Sequence, residues 1–268
     1  MAAGDFLSGV ELISPIEFIK RKIQSVQDYT VLAAQSTANL FRHPIYFADM
    51  VQQADLIGFG SLPVVLASVF FTGVALALNS ATTLGRFGAT TVIGQLVSIG
   101  IIRELGPVLA GLVVAGRNSS GIASELGSMI VTEQIDAMRA LGTDPMKKLV
   151  TPRVAATIFM LFFITILGDA MGLVGGSIVA SLVVRVNAHQ YWSSAWQTLV
   201  FSDVFMGLFK PLVFGFIIAT IGCYYGLTTK GGTQGVGRST TEAVVAAMIL
   251  IIVVDVFVTR FLMLILGS

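Results

Sequence analysis

Charge is what this sequence has least of. Only 12% of its 268 residues are Asp, Glu, Lys or Arg, where soluble domains carry about 25%. Hydrophobic residues make up 55%, and the mean hydropathy is +0.87. That balance excludes a soluble core and points to an integral membrane protein. The net charge of +1, with no basic tract, argues against a nucleic-acid partner. A single cysteine, Cys223, cannot close an internal disulfide. Two histidines, His43 and His189, are too few to build a His/Cys metal site around. There is no Gly-Lys pair and hence no nucleotide-binding phosphate loop; H-E-x-x-H and G-x-S-x-G are missing as well. Nothing in the sequence makes a positive case for an enzyme. The opening residues MAAGDFLSGV lack a basic start and carry Asp5, so the first span is expected to stay in the membrane rather than to be cleaved as a leader.

What the chain does have is long apolar runs. A span needs about 20 residues, and five segments qualify: about Leu56–Ser80, Thr90–Ser124, Val154–Val184, Asp203–Thr228 and Glu242–Leu266. Residues 1–55 are more polar and are expected to lie outside the hydrocarbon, leaving 56–268 as one transmembrane domain. Ser14, Pro15 and Glu17 form a helix start. Ile16, Ile19, Ile23 and Val26 then recur at helical spacing beside Lys20, Arg21 and Lys22, the pattern of an amphipathic helix on a membrane surface; a helix packed on a partner is the alternative. Eleven of the 16 Lys and Arg fall on the N-terminal side of the membrane and only Arg86, Arg185 and Arg260 on the other, which predicts N-in, C-out. The expected fold is therefore an all-α integral membrane protein with about five transmembrane helices.

Two ladders of small residues run at four-residue spacing: Gly111, Ala115, Ser119, Ala123 and Gly127, then Gly168, Gly172, Gly176 and Ala180. Close backbone approach drives helix association in lipid, so both are expected to be packing faces. Between spans two and three, VTEQIDAMRALGTDP predicts a short helix. Val131, Ile135 and Met138 share one face, Glu133, Gln134, Asp136 and Arg139 supply polarity, and Gly142 and Pro145 end it. Such a helix fits a groove on a soluble partner or serves as a solvated connection. TKGGTQGVGRST reads as a flexible loop.

The charges inside the apolar runs are costly, about 2.5 to 3.5 kcal/mol each at a helix centre. They are Arg103 and Glu104 in span two, Asp169 in span three, Lys210 in span four and Asp255 with Arg260 in span five. Arg103 and Glu104 point about 100° apart. Glu104, Val108, Gly111 and Ala115 form one stripe, so Glu104 is expected on the packed face. Pro107 and Pro211 each sit near a charge and deprive a carbonyl, of Arg103 and Gly207, of its donor. A polar cavity is one reading. Structural pairing, Lys210 with Asp255 or Arg103 with a neighbouring acid, is the other.

RELGPVLAGLVVAGR, SGIASELGSMIVTEQIDAMRALGTDP and TPR, followed by LFKPLVFGFIIATIGCYYGL, GVGRSTTEAVV and DVFVTRFL, resemble the MlaE/YrbE family across nearly the whole chain. These are permease subunits of Mla/Mce-type ABC lipid transporters. The resemblance implies a homodimer in the bacterial inner membrane that moves phospholipid or a related lipid between inner and outer membranes. ATP and Mg would be bound by a separate cytoplasmic ABC ATPase, often with a STAS-domain protein, and no cofactor by this chain. An Mce-domain protein would stand on the periplasmic face. By position, Arg103, Glu104, Lys210 and Asp255 would line the lipid path, with Leu76 and Leu78 near its cavity. Glu133, Gln134, Ile135, Asp136, Met138 and Arg139 would form the ATPase coupling helix. Gly111, Ala115, Ser119, Gly172 and Gly176 would pack helices. Two other functions stand beside this one: an ion- or proton-coupled transporter relaying through Glu104, Asp169 and Asp255, and a scaffold that moves nothing.

Overall fold

The computed structural model of the chain describes residues 15–40, 42 and 46–266. Ser14, the expected cap of the first helix, lies outside them, as does His43. Among the described residues there are helices and no strands. Five helical stretches are long and apolar enough to cross a membrane: Phe47–Gly85, Thr90–Val131, Met146–Leu182, Phe201–Leu227 and Gly232–Leu266. The protein is thus multi-pass, as the hydropathy predicts.

The first helix, α1 (Pro15–Asn39), does not lie wholly free. Its second half docks on the fourth span, where the Tyr29 hydroxyl meets the Thr220 hydroxyl at 3.0 Å and its ring stands edge-on to Tyr224 at 5.9 Å. Leu32 and Ser36 are buried, whereas Ile23 and Val26 stay exposed. Burial pushes the Tyr29 phenol above its ordinary pKa, offset in part by that hydrogen bond.

Span one, α2 (Phe47–Gly85), starts two turns before the apolar run and passes through position 55 without a break. Its seam with span three, α7 (Thr151–Leu182), is made by the second glycine ladder. Gly73 lies against the Gly172 backbone, and Gly168 and Gly172 against Val65 and Val69. At Gly73 a Cβ would strike the Gly172 carbonyl, so only glycine permits this approach.

Span two is not one regular helix. A turn at Thr90–Val92 leads into α3 (Ile93–Gly100), a widened π-turn at Ile101–Leu105, α4 (Gly106–Val114), a second π-turn at Ala115–Ser119, and α5 (Ser120–Val131). The first π-turn corrects the carbonyl expected to be freed. Gly106 N–H donates to Ile101, five residues back. Continued by one residue, that register assigns the donor missing at Pro107 to the carbonyl of Ile102 rather than Arg103. That carbonyl abuts Gly207.

The first small-residue ladder packs on span four, α9 (Phe201–Leu227), within one subunit. Gly111 meets Phe214, Gly222 meets the Ser119 backbone, and Gly127 meets Thr229; Ala115 and Ser119 are fully buried. The polar Asn118 is satisfied by the Thr157 hydroxyl at 3.2 Å. Between spans three and four, α8 (Ala188–Thr198) packs on α3 and buries Tyr191, whose hydroxyl donates to the Leu173 carbonyl at 3.2 Å. Burial raises the Tyr191 phenol pKa as well.

Span five, α10 (Gly232–Leu266), corrects the expected loop. The connection is only residues 228–231, with Gly231 at φ +91°, and the helix starts at Gly232. Glycine is a poor helix former, but the segment is tied down. The Thr229 and Ser239 hydroxyls meet at 3.0 Å, and Arg238 pairs with Glu242 at 2.7 Å. α10 is the least enclosed span, with 11% of its most apolar window buried against 61% for α9.

Candidate functional site: a charge layer and a coupling end

The intramembrane charges gather in one layer where the first π-turn, α9 and α10 meet. Lys210 of α9 is completely buried and contacts both Glu104 of the π-turn and Asp255 of α10. The Glu104 contact is a hydrogen bond from Nζ to Oε2. Asp255 Oδ1 lies 3.0 Å from Nζ but outside hydrogen-bond geometry, which leaves that oxygen without a donor. Two carboxylates share one ammonium, so the trio carries a surplus of one negative charge.

Arg103 points the other way along α9 and reaches Asp203 at 3.3 Å. Asp203 and Lys210 are seven residues apart, two turns and about 10 Å on one helix face. The adjacent Arg103 and Glu104 therefore bracket two turns of α9. Both pairings raised from the sequence occur, Lys210 with Asp255 and Arg103 with a neighbouring acid. Asp203 itself was missed as a member, because it marks the end of an apolar run and reads as a boundary. Its i, i+7 relation to Lys210 is the signal that identifies it. Asp203 also accepts the Val200 N–H at 3.3 Å, which helps start α9.

Phe214 and Ile251, one turn from Lys210 and Asp255, pack on Gly111, two turns from Glu104. The charged layer thus rests on an apolar one built from the same three helices. On its open side the layer borders a cleft of about 310 Å³ lined by Glu104, Asp255, Val256, Thr259, Arg260 and Met263. The Glu104 side chain is 36% exposed and that of Asp255 18%, so the polar contents of the layer face this cleft.

Asp169 does not join. It is buried in α7 against Gly106, and Oδ1 has no hydrogen-bond partner. A Cβ on Gly106 would run into this carboxyl. Leu76 packs against the core beside Gly100, and Leu78 is exposed; neither lines the cleft.

The expected short helix forms as α6 (Gln134–Ala140). Glu133 precedes it with φ +59°, and Gly142 ends it with φ +76°. Gln134 donates to the Thr132 hydroxyl at 3.0 Å, and Asp136 pairs with Arg139 at 2.9 Å on the exposed side. Ile135 is fully buried and Met138 half-buried, so these two seat the helix. Outward stand Glu133, Gln134, Asp136 and Arg139, together with Leu141, which is 84% exposed. Leu141 went unnoticed in the sequence because it falls outside the helical stripe. Ion pairs flank the element: Arg153 of α7, itself buried, to Glu125 of α5 at 2.7 Å, and Lys148 to Asp49 at the start of α2.

Comparison with known proteins agrees with this architecture. The model of the family "Permease MlaE" matches residues 50–261, which reaches all five spans and includes every member of the charge layer. A protein of Rickettsia bellii named as a probable ABC transporter permease is 43% identical over 240 residues, 90% of this chain and 93% of its own length. A similarly named protein of Synechocystis is 40% identical, over 85% of this chain and 87% of its own. The Arabidopsis thaliana chloroplast protein trigalactosyldiacylglycerol 1 is 35% identical over 92% of this chain and 70% of its own. On these matches, and on five spans arranged around a buried charge layer, the chain belongs to the MlaE family of ABC transporter permeases.

Proposed function

We propose that this permease moves phospholipid or a related hydrophobic lipid between the inner and outer membranes of a bacterium. The observation that carries the reading is the Glu104–Lys210–Asp255 layer, set deep in a membrane-spanning bundle and bordered by an open cleft. A purely structural ion pair gains nothing from facing such a cleft, whereas a path for an amphiphile needs polar groups beside apolar walls. The name of the Arabidopsis relative is that of a lipid, which supports the same substrate class.

The chain works as a transport subunit, not as an enzyme. It has no phosphate loop, so ATP and Mg belong to a partner ABC ATPase, accompanied by a STAS-domain protein where one is present. The exposed rim of α6, with Leu141 at its end, is the surface offered to that ATPase. The N-in, C-out orientation puts α6 in the cytoplasm and α8 toward an Mce-domain protein in the periplasm. The apolar face of α10 nearer its start (Val245, Ile249, Ile252 and Val253 exposed) suits a second copy of the chain across a twofold axis.

The test is reconstitution of the chain with its ATPase in donor liposomes carrying fluorescent phospholipid, with acceptor liposomes alongside. ATP-dependent transfer that disappears when the ATPase is left out is expected. Transfer driven by a proton or ion gradient without the ATPase would replace this reading with the relay mechanism. Pairing of Glu104 and Asp255 to Lys210 already weighs against free relay groups.

A further inference from the structure

The cleft beside α10 contains a cation that the charge layer leaves unused. Arg260 is exposed and forms no ion pair among the described residues. It lies five residues beyond Asp255, about 7.5 Å further along the helix. Beside it is an unsatisfied hydroxyl. Thr30, Thr72, Thr157, Thr165 and Thr220 all turn their hydroxyls back to the carbonyl four residues earlier. Thr259 does not; its Oγ1 is enclosed, lines the cleft and has no partner. Asp255 Oδ1 is likewise enclosed, in ion-pair contact with the Lys210 ammonium at 3.0 Å but in no hydrogen bond.

The cleft therefore has two chemically different ends. At one, Glu104 and Asp255 outnumber Lys210 by one negative charge, and the Glu104 carboxylate is partly exposed to the cleft. At the other, an unpaired guanidinium stands next to a spare hydroxyl. Guanidinium and hydroxyl suit a phosphate, and the carboxylates suit an ammonium that can donate hydrogen bonds. About 310 Å³ holds a headgroup but not two acyl chains. Exposed Val256 and Phe257 on the same helix offer those chains an apolar track.

We infer that this cleft seats the headgroup of an ethanolamine-type phospholipid, phosphate on Arg260 and Thr259, primary ammonium on Glu104 and Asp255. The inference rests on the lipid-transport reading and narrows it to a zwitterion with N–H donors. A quaternary ammonium has no N–H to donate to these carboxylates, and a glycerol headgroup brings no cation to offset the negative end.

The test uses the full chain in non-ionic detergent, offered equal amounts of dioleoyl-phosphatidylethanolamine, -phosphatidylcholine and -phosphatidylglycerol. Lipid retained is read by native mass spectrometry. The wild type should keep the ethanolamine lipid over the other two by roughly tenfold. Arg260→Gln should lower retention of all three lipids by a similar factor, since the phosphate is common to them, Thr259→Val by less, and Arg260→Lys should restore part. Because Arg260 is exposed, these variants should elute from gel filtration like the wild type.

Equal retention of the three lipids overturns the inference, as does unchanged lipid retention in Arg260→Gln. Displacement of the lipid by inorganic phosphate would identify a free-anion site instead and also overturn it. If Arg260→Gln splits the dimer while retained lipid per chain is unchanged, Arg260 is a subunit contact and the inference falls. Failure here, with ATP-driven lipid transfer intact in the reconstituted complex, leaves the transport function standing. Absence of any ATP-driven transfer by the wild-type complex strikes the transport function itself.

Discussion

Removing Lys210 should be the most disruptive single change in the charge layer. The ammonium is fully buried and is the only cation in contact with Glu104 and Asp255 among the described residues. Lys210→Met keeps the length and apolar character of the stem and deletes the charge. Two carboxylates then face each other across α9 with nothing between them. Breaking a buried pair by removing one partner costs about 3–5 kcal/mol, because the partner is left uncompensated. Glu104, 36% exposed, can turn toward the cleft, so the loss should sit near the lower figure, about 3 kcal/mol. Neutralising the whole layer, in Lys210→Met with Glu104→Gln and Asp255→Asn, removes the stranded charges and should return stability to within about 1 kcal/mol of wild type. The assay is equilibrium unfolding in micelles, with ATP-driven lipid transfer measured in parallel. The triple variant should fold and yet fail to transport. If Lys210→Met is as stable as wild type, the carboxylates do not depend on that ammonium and the reasoning is wrong.

Other outcomes follow from the same geometry. Glu104→Gln should leave assembly intact, since Lys210 keeps Asp255, but impair transfer; normal transfer would remove Glu104 from the lipid path. Gly73→Val forces a side chain into the Gly172 carbonyl and should cost about 1–3 kcal/mol or prevent insertion, read as thermal stability in detergent. Leu141→Asp leaves the bundle untouched, because Leu141 is exposed, and should abolish co-purification of the ATPase; full recovery of the ATPase would exclude Leu141 from the contact. Tyr29 has its pKa raised above 10.0 by burial, so the fold favours the protonated phenol. Its contribution is complete below pH 10 and is lost as pH rises through the folded value. Tyr29→Phe should therefore soften the alkaline loss of stability while costing about 1 kcal/mol at neutral pH.

How much of this was legible beforehand depends on what each feature does to composition. Spans are legible because length and apolarity are local properties. Asp255, Lys210, Arg103 and Glu104 are legible because a charge in an apolar run is expensive wherever it occurs. A π-turn adds one residue to a helical turn and leaves no mark on composition, so the register shift at Ile101–Leu105 is invisible in one sequence. The helix through Gly232–Thr241 was hidden for a different reason. Glycine lowers helix propensity locally, and the contact that overrides it, Thr229 with Ser239, exists only once the turn has folded. Arg260 could be seen but not interpreted, since its lack of an ion pair among the described residues is a fact about its neighbours.

The irregularities and the charges occupy the same place, and this bears on why the segment IIRELGPVLAGLVVAGR is built as it is. The Ile102 carbonyl meets Gly207, Gly106 meets Asp169, and Lys210 precedes Pro211. A regular helix would present Arg103 and Glu104 100° apart and 1.5 Å apart in height, a poor match to two partners separated by two turns of α9. The widened turn lies between the packed faces of α3 and α4, so it can reorient these two side chains without shifting the apolar ladder below. Glycine on both helices lets the backbones close up at that level, which shortens the reach to Asp203 and Lys210. Restoring a regular register, by deleting one residue within Ile101–Leu105, should therefore break the charge pairing before it disturbs the Gly111–Phe214 contact. Thermal stability in detergent retained, with transport lost, would show that order; loss of both together would mean that turn and ladder are a single unit.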